Sequence, residues 1–585
     1  MKYIHMVSVM KYIVKKRVGQ VFGICCANVI LAAEAAEEVH REDRLEEIVV
    51  TAPFQQTEAQ TALPIGILSG EALREKVSNS LGDTLKNEIG VASASFGSGV
   101  GHPVIRGQTG NRVSILQNGV GVTDASNVSP DHAEGVEAIL AERLEVIRGP
   151  STLLYGSGAV GGVVNVIDNR IPERLVEQTE FMLDQSYNSV NEENKTVVRL
   201  DAATENFGFH LDAFRRESDN VEINGFAIDE AALEALEQLL GEHEEDHEEE
   251  LENTNGFIGN SDGEANGTTT GFSWVKDNGF IGLSISDLEN TYGLPPGTHS
   301  HAHHDEEEEE GEEEVEFIRI DMEKTRYDLK GMRSFQDSWI DNIRASIGFT
   351  DYEHREIEIF EDGARAVGTL FSNEGAEGRL SLTRTETADW TGVWGLQFSD
   401  TEFSAIGEEA FIPRVDISSL GLFGVERYYR GNFTAELGVR VENNEVDPAS
   451  SCNLDATSIS MSGSVLYDLN PDTNLLFGLS RSQRAPTVEE LYSNIDVASC
   501  ARRADDEDLV LHAATALLEI GNPLLDKETS KNIEFGLRRH SGPVTGELSL
   551  YYNQIDDFIY LDITGEDHEE QPIAGYFARD VNFRG

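Results

Sequence analysis

The chain of 585 residues sets 45 Lys and Arg against 106 Asp and Glu, a formal net charge of −61, so it offers no basic footprint for a nucleic acid. Past the N-terminal segment no run reaches the roughly 18 consecutive apolar residues that a membrane-spanning helix needs, which excludes a helical membrane protein. With 54 Gly, 15 Pro, only 4 Cys and recurrent short alternating segments, the composition is that of a large antiparallel β structure and not of a disulfide scaffold.

Lys11, Lys15, Lys16 and Arg17 precede the apolar run Val18 to Ala33, and small residues follow at Ala35 and Ala36. Basic, apolar and small-residue regions in that order predict a cleavable export signal over residues 1–36, with the mature chain starting near Glu37. The tetrapeptide MKYI occurs at Met1 and again at Met10, so either Met can be the start. Cys25 and Cys26 leave with the signal; Ile24 and Phe22 do not fit the small residue and Leu expected ahead of a lipid-anchored Cys.

Residues 37–63 form a polar leader interrupted by a β-prone heptad, residues 46–52: Glu46, Glu47, Ile48, Val49, Val50, Thr51, Ala52. Such a segment either adds as a strand to a partner's sheet edge or opens the next domain as its first strand. Over 64–170 the pattern predicts a small mixed α/β domain, with helices at Gly70 to Lys76 and Leu81 to Asn87. Its strands fall at Pro103 to Arg106, Val113 to Gln117, Arg143 to Ile147 and Gly162 to Ile167. The Gly-rich stretch Arg148 to Gly162 lacks the Gly-Lys-Ser/Thr ending of a phosphate loop.

Residues 171–585 consist of short segments alternating apolar and polar residues, from Lys195 to Ala202 through Gly546 to Ile555. Short connections (Asp277 to Gly279, Arg430 to Asn432, Asn470 to Thr473, Ser541 to Pro543) alternate with long ones (Glu217 to Thr268, Thr291 to Glu316, Phe403 to Ser419, Ala485 to Ser530). Outer-membrane barrels keep short periplasmic turns and long outer loops, so a transmembrane antiparallel β-barrel with its long loops facing outward is predicted. About 16 strands are visible where plugged transporter barrels have about 22. The last residues, Asn582 to Gly585, read as the start of a further strand without a terminal aromatic, so a C-terminally truncated frame is expected.

Two long loops are rich in both acid and imidazole: one holds His243 and His247, the other His299, His301, His303, His304 and Asp305. Six of the 15 His fall there, and imidazole selects zinc, copper or nickel over calcium or magnesium. Acidic runs alone are solvated loops; clustered His makes these mobile metal collectors, not a fixed site, which needs few ligands in set geometry. A fixed site is sought on Asp131 and His132 in the motif SPDHA, with His512 and, less directly, His354 from the second domain. Cys452 and Cys500 flank a hairpin that returns both to the outer face, where a disulfide, free thiols or metal ligation are open. No Ser/His/Asp order or helical His-Glu-x-x-His supports an enzyme.

The stretches EEIVVTA, LGDTLKNEIGV, VIRGQTGNRVSILQNGV and AERLEVIRGPSTLLYGSGAVGGVVNVID, spanning Glu46 to Asp168, resemble the energy-coupling box and plug domain of a TonB-dependent outer-membrane receptor. SPDHA, RIDMEKTRYDLKG, GTLFSNEGAEGR, QRAPTVEELYSN and LHAAT resemble the zinc-uptake branch of that family; QRAPTVEELYSN is shared by the family in general, and the branch resemblance rests mainly on SPDHA, LHAAT and the His-rich loops. The resemblance implies a plug inside the barrel lumen, a TonB box on Glu47, Ile48, Val49, Val50 and Thr51, and a TonB-type energy transducer as partner. It further implies a monomer in the lipid of a Gram-negative outer membrane, importing a metal ion, Zn2+ first, with no prosthetic group. A receptor for haem or an iron-siderophore is the alternative. Two departures stand out: NEIGV has Glu88-Ile89 where such plugs commonly have Pro before the Gly, and an acidic insertion through Asp505 to Asp508 precedes His512.

Overall fold

The computed structural model describes residues 48–49, 56–57, 65–149, 154–156, 158–232, 253–295, 315–360, 362–407, 410–568 and 571–585. The export signal, Glu47, Val50 and Thr51, and the His-rich segments with His243, His247, His299, His301, His303, His304 and Asp305 lie outside the described residues. Ile48–Val49 and Gln56–Thr57 form a two-stranded sheet of their own. Ile48 and Val49, the described residues of the β-prone heptad, are therefore not part of the five-stranded sheet of the following domain, whose first strand in the chain is Ile65–Ser69.

That domain is built on a five-stranded sheet in the order Ile65–Ser69, Arg143–Arg148, Gly162–Ile167, Val113–Gln117, Val120–Gly121. Val113–Gln117 runs parallel to Gly162–Ile167, and Arg143–Arg148 antiparallel to it, so the sheet is mixed. The near-continuous Val and Ile of the central strands are buried on both faces, as a covered sheet requires. Helices Gly70–Lys76 and Leu81–Leu85 cover one side; Leu73, Leu81 and Leu85 pack with Leu68, Ile105, Leu144, Val146, Val164 and Val166. The Ser80 hydroxyl caps the second helix by accepting from the Asp83 amide at 3.2 Å.

Among the described residues, sixteen long strands follow in an unbroken antiparallel meander from Glu180–Asn188 to Gln571–Arg584, with the three-residue strand Leu518–Ile520 added parallel to the last. Strand register gives each strand two faces with a period of two. On Phe207–Ser218, Phe209 and Leu211 are exposed while His210, Asp212 and Arg216 are buried. The same division recurs along the sheet: Ile281, Leu283, Leu420, Leu422, Phe477, Leu479, Ile533 and Phe535 point out, and Arg326, Gln397, Arg440 and Asn532 are buried. An apolar exterior with a polar interior suits a wall that faces lipid and encloses a lumen.

Groups from both ends and the middle of the meander reach the N-terminal domain, so the wall wraps it. Arg216 donates twice to Glu137 at 3.0 and 3.1 Å, Arg379 donates to the Leu154 carbonyl at 2.7 Å, and Arg106 and Arg112 reach Glu534 and Glu528. Gly271 permits close approach on the wall: a Cβ there would collide with the Arg170 carbonyl.

The strands outrun their sequence signal. The connection read as Phe403 to Ser419 is mostly strand, since Trp390–Gly407 and Val415–Arg430 extend into it. Above the lipid zone a strand keeps its ladder but no longer needs strict alternation, which is why periodicity stops short. Cys452 and Cys500 are joined as a disulfide, tying the foot of Leu454–Asn470 to the small hairpin of Ile495–Asp496 and Ala501–Arg502.

Candidate metal site

The loop between Val120–Gly121 and Arg143–Arg148 forms the apex of the N-terminal domain and carries Asp131 and His132, both fully buried. Its shape is held from several sides. Asp124 accepts from the amides of Ser126 at 3.0 Å and Gly135 at 2.8 Å, closing the loop on itself. From the wall, the Tyr292 hydroxyl donates to the Asp131 carbonyl at 3.1 Å and accepts from the Ala133 amide at 3.0 Å, and Lys324 donates to the Gly135 carbonyl.

The wall strand Ile340–Phe360 supplies His354 and Glu356. Two residues apart on a strand, they share one face, and both are buried on the inward one. His132 Nδ1 donates to the Ala125 carbonyl at 3.1 Å, leaving Nε2 turned toward Glu356 Oε1 at 3.2 Å and Asp131 Oδ1 at 3.8 Å. His354 Nδ1 pairs with the Tyr352 hydroxyl at 2.9 Å, and its buried Nε2 has no hydrogen-bond partner among the described residues. One ligand atom from each of His132, His354 and Glu356 lies within 4.8 Å of the other two, the one such group among the described residues. The imidazoles meet edge to face with centroids 4.3 Å apart, and both pack on Phe371, at 4.8 and 4.7 Å. Zinc–ligand bonds of about 2.0–2.2 Å put tetrahedral ligand atoms roughly 3.3 Å apart, so small side-chain shifts would seat a cation here. A backbone carbonyl fixing the tautomer of His132 is the outer-shell arrangement usual for a metal-bound imidazole.

Of the residues singled out in the sequence, Asp131, His132 and His354 come together. His512 stands one hydroxyl away: its Nδ1 pairs with Glu519 at 2.8 Å, its Nε2 with Ser129 Oγ at 2.8 Å, and Ser129 in turn donates to Asp131. Its ring stacks on Phe411 with centroids 4.5 Å apart. Glu356 escaped the sequence reading. The signal for it was the His-x-Glu spacing on a strand, which sets both side chains on one face.

The β-barrel model of the TonB dependent receptor-like family matches residues 247–578. The chain belongs to the TonB-dependent receptor family. The family's plug domain model matches residues 57–163, and the receptor is accordingly a Gram-negative outer-membrane β-barrel protein. Receptors of this family are transport proteins that work with TonB-type partners. Among curated relatives, the vitamin B12 transporter BtuB of Vibrio vulnificus is 37% identical over 137 residues, 23% of this chain and 22% of that protein, so the match spans about a fifth of the relative. Among solved structures, the copper transporter OprC superposes with a TM-score of 0.68 at 17% identity, over 88% of the receptor and 76% of OprC. The Serratia marcescens hemophore receptor HasR, in complex with its hemophore HasA and heme, gives 0.66 at 14% identity, over 90% and 79%. A ferric enterobactin receptor mutant (PfeA) from Pseudomonas aeruginosa gives 0.62 at 16%, over 89% and 77%. At these identities the likeness is one of fold.

Proposed function

We propose that the receptor imports a divalent transition-metal ion, zinc first, capturing it at the seam between plug and wall and releasing it inward when a periplasmic TonB-type transducer draws on the box at Ile48–Thr51. The observation that supports this reading is the buried group of His132, His354 and Glu356, with Asp131 beside it. Its imidazole and carboxylate donors suit zinc and neighbouring ions. Because His132 belongs to the plug and His354 and Glu356 to the wall, movement of the plug separates the ligands, so release follows from energy input and not from weak binding. The His-rich outer segments serve as collectors that raise the local ion concentration.

A haem reading finds no comparable support at this site, since the two imidazoles pack on each other and on Phe371 and leave no room for a macrocycle between them, and the net charge of −61 disfavours an anionic siderophore. The test is equilibrium binding of zinc, with copper, nickel, cobalt and manganese as competitors, to purified receptor and to the double variant Asp131→Ala, His132→Ala. Loss of high-affinity binding in the variant is expected. Equal affinity in both would remove the seam from the account.

A further inference from the structure

His102 sits on the strand Gly101–Ile105, outside the ligand group, and is buried beneath the apex loop. Its Nε2 lies 3.1 Å from the Pro130 carbonyl, one residue before Asp131, and its Nδ1 lies 3.0 Å from Glu134 Oε1, two residues after His132. A carbonyl and a carboxylate both accept, so the geometry calls for a proton on each ring nitrogen. The imidazolium then straddles the ligand-bearing turn and ties down both of its ends from below, while Tyr292 holds its middle from the wall.

We propose that His102 is the positioning residue of the metal site, acting as a doubly donating clamp that fixes the backbone of residues 130–134 so that Asp131 and His132 face His354 and Glu356. This inference rests on the metal-site reading above. The charged groups acting most strongly on His102 are Glu134 and Asp124, both negative. Burial lowers the proton affinity of the ring, but Glu134, the Pro130 carbonyl and Asp124 together outweigh it and leave the imidazole above its ordinary 6.5. The raised value keeps the clamp closed to higher pH than a free imidazole would, and it opens as pH rises through that value. Only neutral imidazole ligates a metal, so ligation by itself favours the opposite direction of pH. Outer-shell partners of metal ligands typically change affinity by about 10–100-fold when removed.

The experiment compares zinc affinity of the full receptor with that of His102→Leu, His102→Gln and His132→Ala, each checked for its melting temperature, across pH 6 to 9. His102→Leu, which lacks both donors, is expected to bind zinc about tenfold more weakly at neutral pH. His102→Gln keeps an amide donor for one of the two acceptors and is expected to fall between. The decisive readout is the ratio of wild-type to His102→Gln affinity, which should decline toward alkaline pH, because the amide does not titrate; metal hydrolysis affects both proteins and cancels. A constant ratio, or wild-type affinity in His102→Leu, overturns the clamp. If His132→Ala also binds as wild type does, the metal-site reading itself has failed; if only the His102 variants are silent, the failure is confined to this inference.

Discussion

Glu356 carries the wall's charge in the ligand group, and its neighbour His354 brings an imidazole nitrogen that no described residue satisfies. A buried polar atom without a partner costs about 1–3 kcal/mol, and a cation relieves that cost. Glu356→Gln keeps the shape and an oxygen but removes the charge, so zinc affinity should fall by more than tenfold with little change in melting temperature; titration calorimetry reads the first and scanning calorimetry the second. A variant that loses stability without losing affinity would make Glu356 a structural partner of His132 alone. At this scale Asp131, His132 and His354 were legible because His outside the acidic loops is scarce in this chain. Glu356 was not, since among 106 acidic residues one more carboxylate carries no information until strand register sets it beside His354. His102 left no trace either: its role depends on a loop nearly thirty residues away folding back over it.

Among the elements, the outer segment between Thr473–Arg484 and Glu528–Arg539 brings His512 to Ser129 and is pinned by the Cys452–Cys500 disulfide and by Tyr492 donating to the Cys452 carbonyl. Its short helix Val488–Tyr492 presents Glu489 to the Tyr576 hydroxyl at 3.0 Å, and the same hydroxyl lies 2.8 Å from Glu519. One phenolic proton cannot serve two carboxylates. Burial and the nearby charges of Glu519 and Glu490 push Glu489 up to about 8, so the folded segment retains a proton that the unfolded one releases near 4.5. The stabilising effect is complete below about 4.5 and is lost as pH rises toward about 8. Proteolytic opening of residues 485–527 should therefore become easier across that interval in the receptor, and Glu489→Gln should flatten the dependence. An unchanged pH profile in the variant would place the titrating group elsewhere. The helix, its capping box and the small hairpin after it were hidden in the sequence, because a loop held by a disulfide and a few buried polar bonds shows no hydrophobic period. The strands were visible where lipid enforces alternation, and invisible where they rise beyond it.

For the whole molecule, the net charge of −61 favours cations over anionic chelates and predicts that zinc capture slows as ionic strength rises. Deleting Glu242 to Glu250 and His299 to Glu310 should lower uptake chiefly when zinc is scarce, as loss of many weak ligands does. Abolished uptake at saturating zinc would instead make those loops obligatory. Val49→Pro removes a backbone donor from the box, so it should stop uptake and leave binding intact; transport at the original rate would end the box's coupling role. The barrel and plug were legible because both are written in long periodic patterns and motifs, whereas the seam between them is a tertiary fact. The central claim is that one ion is held jointly by plug and wall. X-ray absorption at the zinc edge of loaded receptor lacking both His-rich loops tests it most directly. The account predicts two imidazoles and carboxylate oxygen at about 2.0–2.2 Å, with one imidazole lost in His132→Ala and the other in His354→Ala. A first shell without imidazole, or one indifferent to both substitutions, would contradict it.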